Sequence, residues 1–595
     1  MSAKISYNGP TRVRANELFI ATFRIVMDQA LRPGAKCVLA VRHVCDFGDA
    51  QIDDPRAENY ISVATSRGDA SWELGPANDW ARHPWNRGIE LELTSGEVVA
   101  GETLTIALGG AVGEGPGFRA QSFAESPFRF RLGIDALGDG RWEVLPEDAC
   151  PSLEVVGNSP VALRVIVPRA TARAGQAAVC LKPEDAYGNV AGEAIGEVGL
   201  LLDDSLPLGS VSLVAGRASR AEFTLPADGR WHRITAASDD GAYFARSNPF
   251  GPSPAEGFNL YFGDLHIMSG HCCGTGSAAS QYAYAREAAG LDFASVTSLD
   301  AQVTEEDWAE IRDATRRAHV PGSFVTFLGY EWGGGSDVGG DHCVHFLGDE
   351  GRLVRSGSGG DPQWNEAARE GGRARDLAET IEELRDSRVM LVPHCGGRRC
   401  NLDFFDPAVM SMLEIHSCHR TFEDAALDAI ERGIRCGFIA GSDDHRGAPG
   451  DTRPTARDRF FSSRGGLVAT WAEELTRESL WEAFSARRVY ATNGPRIMLT
   501  TRIGETLMGG EVRAPIGTPL EFSSWACLDG FLGRVEVMKD GVPVRTFPGE
   551  GNQVREFSGE CGLTVEASPH AYYVRVFQAD GGRAWSSPIW VGPPA

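Results

Sequence analysis

The sequence predicts an α/β protein, a parallel strand-and-helix barrel preceded by two β-sandwich domains and followed by a third. Three observations predict it. Up to about residue 255, and again beyond about 488, short segments alternate apolar and polar residues with a period of two, while between them the period lengthens toward 3.6. Within that middle stretch, apolar runs alternate with helical ones, the pattern of a parallel sheet wrapped by helices. Nine of the 13 histidines fall in residues 264–445, under a third of a 595-residue chain, and most of these sit at the ends of apolar runs.

The elements follow in order. Residues 1–150 read as an N-terminal β-sandwich, with strands such as 18–26 and 103–108 broken by Gly, Pro and Asp turns. Residues 151–255 restart the pattern with strands at 161–167, 197–202 and 220–225, a second sandwich of immunoglobulin-like size. The stretch Asn248-Pro-Phe-Gly-Pro-Ser-Pro reads as a linker. Residues 256–487 form the barrel: helices at 280–289, 376–385 and 422–432, strands at 292–297, 324–330, 389–393, 412–415 and 437–441. In such barrels chemistry gathers at the carboxyl ends of strands, where His266, Asp300, Glu331, His394 and Asp443 lie. Residues 488–595 return to period two, as a C-terminal β-sandwich.

Composition narrows the function. The formal charge is 57 − 81 = −24, so no basic face offsets repulsion from phosphates, and nucleic acid is excluded as a partner. The opening residues lack the apolar core of a signal peptide and no run approaches the roughly 20 apolar residues of a membrane span, so the expectation is a cytoplasmic protein with no membrane partner. The 13 cysteines are odd in number, seven of them between Cys272 and Cys436, and no CxxC pair occurs; this is neither a disulfide framework nor a zinc ribbon.

The motifs Gly263-Asp264-Leu265-His266, Glu331-Trp332, Asp341-His342, Pro393-His394 and Ser442-Asp443-Asp444-His445 combine imidazoles with carboxylates, the donors that bind Zn²⁺, Mn²⁺ and Fe²⁺. Together with Ala289-Gly-Leu-Asp-Phe, Phe327-Leu-Gly-Tyr-Glu-Trp and Arg488-Val-Tyr-Ala-Thr-Asn-Gly-Pro-Arg-Ile, they resemble the DUF3604 group of PHP (polymerase and histidinol phosphatase) domain proteins, close to the carbaryl-hydrolase-like metallohydrolases. The resemblance spans roughly residues 259–497.

It implies a distorted (β/α)7 barrel holding one to three divalent metals, with His266, Glu331, His342, His394, Asp443 and His445 as ligands. The departures reduce that number. Met268 stands where the second His of the family's HxH pair is expected, Thr297-Ser-Leu-Asp replaces Thr-Asp-His-Asp, and Cys272, Cys273 and Gly274 stand where another ligand is expected. One or two ions, Zn, Mn or Fe, are therefore expected, with His271, His416, His419 or a nearby cysteine as substitutes for lost donors.

Such a site would activate water against a small organic ester, carbamate or amide. The alternatives are a phosphoesterase, and a non-catalytic metal-binding protein that assembles through its sandwiches. His445, His419 and Asp443 are the candidate proton-handling residues. Asp264, Asp444 and Asp300 are candidates for orienting imidazoles from behind. Arg398, Arg399, His271 and Met268 are candidate contacts to a small-molecule substrate, and the sandwich domains offer surfaces for self-association.

Overall fold

The computed structural model describes residues 4–77, 80, 84–110, 115–171, 175–225, 228–357, 373–457, 461–549 and 554–594. The N-terminal sandwich is present. A sheet of Lys4–Asn8, Ala21–Val26, Thr103–Leu108 and Ile61–Thr65 packs over one ordered Glu143–Val144, Arg131–Asp135, Lys36–Val41, Arg87–Ser95 and Ser71–Pro76. Ala21–Val26 shows why: its alternate residues Ala21, Phe23 and Ile25 are fully buried while Arg24 and Val26 face solvent. The next unit also has two sheets, one of Ala162–Ile166, Gly175–Glu184 and Ser219–Leu225, the other built around Gly196–Leu202, enclosing Val179, Leu181, Val198 and Ile234.

The expected distorted (β/α)7 barrel is not found. The structure is 43% strand and 10% helix, with five α-helices among the described residues, too few to wrap seven parallel strands. Parallel pairing survives in pieces. Asn259–Ile267 pairs with Phe293–Val296, which pairs with Val325–Thr326, joined by the helices Ala278–Glu287 and Glu305–Ala318. Met412–His416 and Gly437–Ala440 are likewise parallel across the helix Glu423–Glu431.

The barrel breaks at Glu331. A parallel return needs a crossover of about a dozen residues or more, but the chain between Leu328–Gly333 and Asp341–Phe346 is only the glycine-rich loop 334–340. The two strands therefore pair antiparallel, and Val389–Pro393 joins antiparallel as the third. On the other side Asn259–Ile267 pairs antiparallel with Leu467–Ala472, and that ladder continues through Val489–Thr492 and Arg583–Ser586 into an 11-stranded sheet.

Among the contacts that tie the N-terminal units to the central unit, two lie close to the strands described above. The Arg42 guanidinium donates to the carbonyls of Gly270, Cys272 and Gly274 at 2.9, 3.1 and 2.9 Å. Lys182, 1% exposed, pairs with Asp451 and, at 2.9 Å, with Glu184; Arg164 and Arg464 also reach Asp451, and Arg453 reaches Glu184 at 2.8 Å. No helix among the described residues is long and apolar enough to cross a membrane.

A candidate metal centre

Each donor is delivered by a buried strand or the turn after it. His266 lies near the carboxyl end of Asn259–Ile267, whose residues 260–267 are all buried. Beside it runs the turn after Gly437–Ala440: Asp443 N–H donates to the His266 carbonyl at 2.8 Å and Met268 N–H to the Asp444 carbonyl at 2.8 Å. Asp443 is held there at φ +49°, a left-handed conformation uncommon for a residue with a side chain and one that clusters at functional sites. His394 follows Val389–Pro393 directly, and Glu331 sits within Leu328–Gly333.

The Asp443 carboxylate is the hub. Its Oδ1 lies 3.4 Å from His266 Nε2 and 3.6 Å from His445 Nδ1; its Oδ2 lies 3.4 Å from His394 Nε2 and 3.1 Å from His419 Nε2. Glu331 Oε1 stands 3.9 Å from His266 Nε2. Among the described residues, three donor groups are compact enough for one ion: His266, Glu331 and His394; His394, His419 and Asp443; Cys418, Asp443 and His445.

Glu414 lies behind the two central imidazoles. Its Oε2 is 3.1 Å from His266 Nδ1, a hydrogen bond that turns Nε2 of that ring toward Asp443, and its Oε1 is 2.7 Å from His394 Nδ1, whose Nε2 accepts from Gly396 N–H at 3.0 Å. The sequence reading missed it. The available signal was a lone carboxylate in the middle of the apolar strand Met412–His416, where an uncompensated charge would be costly.

The charges fit a cation. Burial works to raise the Glu414 carboxyl, but the imidazoles of His266 and His394 overcome it and hold it at about 2. Burial likewise opposes ionisation of Asp443, yet His266 and His419 hold it well below the usual range. Glu331, buried and facing Asp341 and Asp443, is pushed up to about 8. His266 Nε2 is buried without a hydrogen-bond partner while it faces two carboxylates. A divalent ion among these donors would supply the positive charge that the carboxylates otherwise draw from protonated imidazoles.

Residues 440–515 match the family described as "Protein of unknown function (DUF3604)". That match covers the Asp443 turn. An uncharacterized protein of Chlamydia pneumoniae is 23% identical over 99% of this chain and 100% of its own length. One from Chlamydia trachomatis is 31% identical over 28% of this chain and 29% of its own. Among solved structures, the D0-D1 domain of intimin is 10% identical, covers 42% of this chain and 98% of its own, and has a TM-score of 0.13, too low to guide the fold.

The other expected residues divide. His342 pairs with Trp332 in the ladder while Glu331 pairs with Cys343, and neighbours along a strand face opposite ways, so His342 points away from the Glu331 face. Burial there lowers its pKa to about 4, and the carbonyl of Gly340 lies 3.3 Å from its Nδ1. His445 donates from Nδ1 to the Asp443 carbonyl at 2.8 Å and stacks on Phe461.

The three aspartates expected behind imidazoles hold backbone instead. Asp264 accepts from the N–H groups of His266, Ser442 and Gly450, at 3.1, 2.9 and 2.8 Å. Asp444 accepts from Ala448 N–H and Thr452 Oγ1, and Asp300 from the N–H groups of Gly333 and Ser356. They fix the turns that carry the donors.

Of the expected substrate contacts, Arg398 is near. Its Nε donates to Asp341 Oδ1 at 2.6 Å, and its guanidinium lies over Gly333, where a Cβ would collide with it. Arg399 pairs with Asp424 and is half exposed. Met268 packs with Cys272, Leu299 and Ala301. His271 faces Asp307 and Glu310, on a cleft of about 870 Å³ between the N-terminal sandwich and the central unit. His416 has both ring nitrogens engaged, by Thr421 and by the carbonyl of Arg464.

Proposed function

We propose that this chain is a metal-dependent hydrolase that cleaves a small organic ester, carbamate or amide. The supporting observation is the placement of Glu414 behind both His266 and His394 while Glu331 and Asp443 face their outward nitrogens. The resemblance of the same motifs to PHP-group, carbaryl-hydrolase-like proteins supports the choice of bond. His266, His394, Glu331 and Asp443 would hold one divalent ion, and His419, His445 and Cys418 surround the other edge of Asp443. A divalent ion held there supplies Lewis acidity and a water made nucleophilic near neutral pH.

The chain's own residues do the rest. Glu414 fixes the tautomer and direction of His266 and faces the Nδ1 of His394. Burial lowers His445 to about 3, so its ring is neutral; with Nδ1–H committed to the Asp443 carbonyl, its Nε2 is a hydrogen-bond acceptor that can orient a water or a substrate donor. His419, 22% exposed, connects Asp443 to the solvent side. Phe461 covers the His445 face and keeps bulk water from it. Arg398 offers the rest of its guanidinium to a substrate oxygen.

Arg398 also favours a second reading, a phosphoesterase, because a guanidinium suits phosphoryl oxygens. One experiment separates the two. Metal content is measured on purified protein, followed by turnover of p-nitrophenyl esters and p-nitrophenyl phosphates with and without chelator. Chelator-sensitive ester turnover is expected, with His394→Ala losing metal and activity together. An H394A variant with full metal and full turnover refutes the site, and phosphate turnover exceeding ester turnover by about 100-fold, worth about 2.7 kcal/mol, selects the second reading.

A further inference from the structure

Cys395 and Cys400 bracket the Gly-Gly-Arg-Arg loop that follows His394. Their Sγ atoms lie 3.0 Å apart, about 1 Å more than the disulfide bond length of about 2.0 Å. The backbone already closes the loop between them, since Cys400 N–H donates to the His394 carbonyl at 3.0 Å. Both ends are anchored from outside as well: His394 N–H donates to the Asp341 carbonyl at 2.9 Å and Asn401 N–H to the Gly339 carbonyl at 2.7 Å. Little backbone movement separates two thiols from a bond.

The surroundings suit the pair. Each cysteine is 6% exposed and packs in an apolar cluster with Leu402 and Phe422. The loop itself opens outward, with Gly397 and Arg399 exposed, which gives a small oxidant a short path to the sulfurs.

We propose that Cys395 and Cys400 form a redox modification site, oxidised by a hydroperoxide to a disulfide that closes a ring across the loop carrying Arg398. One thiol attacks the peroxide, whose O–O bond breaks, giving a sulfenic acid and, for hydrogen peroxide, one water. The second thiol displaces the sulfenic oxygen: the S–S bond forms, the S–O bond breaks, and a second water leaves. Two thiols are oxidised and one peroxide is reduced to two waters. The ring holds Arg398 against Asp341 and fixes the chain one residue beyond His394; a dithiol reductant reopens it.

The test is a peptide map of the full chain after treatment with hydrogen peroxide, with free thiols alkylated under denaturing conditions. Expected is a peptide joining Cys395 to Cys400, lighter by two hydrogens than the reduced pair and separated by dithiothreitol, with Cys400→Ser abolishing the link. Both cysteines alkylated at a dose that oxidises the more exposed Cys273 and Cys561 would overturn the proposal. So would Cys395 joined to any other cysteine, or carried to the sulfinic acid without a link. The map of the unmutated chain decides the matter even where the variant fails to fold, and it reads neither metal nor turnover, so it stands apart from the hydrolase reading.

Discussion

Glu414 concentrates the energetics of the candidate site in one side chain. It is buried, ionised and shared by two imidazoles, so replacing it removes the charge that aims His266 and His394. Substitution of carboxylates in this position typically costs 10- to 100-fold in metal affinity. Glu414→Gln is expected to weaken binding of a divalent ion by about that factor while leaving the far-ultraviolet circular dichroism unchanged; a competition titration with a chromophoric chelator measures it. At this scale the sequence was informative where chemistry is carried by residue type. His266, Glu331, His394, Asp443, His419 and His445 come together, whereas His342, of the same type, faces the other way. One residue of register decides that, and single-sequence patterning does not resolve register to one residue.

Between elements, His416 joins the end of Met412–His416 to the loop ahead of Leu467–Ala472. Its Nε2–H donates to the Arg464 carbonyl at 2.8 Å and its Nδ1 accepts from Thr421 at 2.9 Å. Burial lowers its pKa to about 4. The folded state thus resists a proton that the unfolded chain takes up near 6.5, so the stability this ring contributes is complete above pH 6.5 and is lost as pH falls toward 4. The loss amounts to about 3 kcal/mol. Denaturant unfolding at pH 7 and pH 4 is expected to show the native chain losing about that much more stability than His416→Gln; equal losses would count against it. Strand and helix positions were largely readable, as with Thr103–Leu108 and Val389–Pro393. Their connection was not, because the strand Asp341–Phe346, which carries no pattern distinct from the motif residues within it, follows a loop too short to cross over.

Over the whole molecule, the ionic cluster at Asp451 joins the second unit to the central sheet. Asp451 and Lys182 are each 1% exposed, and three arginines share the site, so burial of charge is offset only while every partner is present. Asp451→Ala is expected to destabilise the protein by about 3–5 kcal/mol, measured by chemical denaturation, because it leaves Lys182 and three arginines with Glu184 as their remaining counter-charge in the cluster. The two-fold period announced the sandwiches, but nothing in it revealed that Lys182 and Asp451, 269 positions apart, would meet.

For a lineage carrying this chain, that arrangement restricts change. Lys182 and Glu184 come from one unit, Asp451 and Arg453 from another, and a neutral substitution of either carboxylate leaves buried cations that a matching substitution elsewhere would relieve. Exchanging the second sandwich for a foreign one of the same shape would meet the same obstacle. Change at these positions is therefore coupled across the two units, and the unit that contributes no donor to the candidate site still constrains it through this cluster.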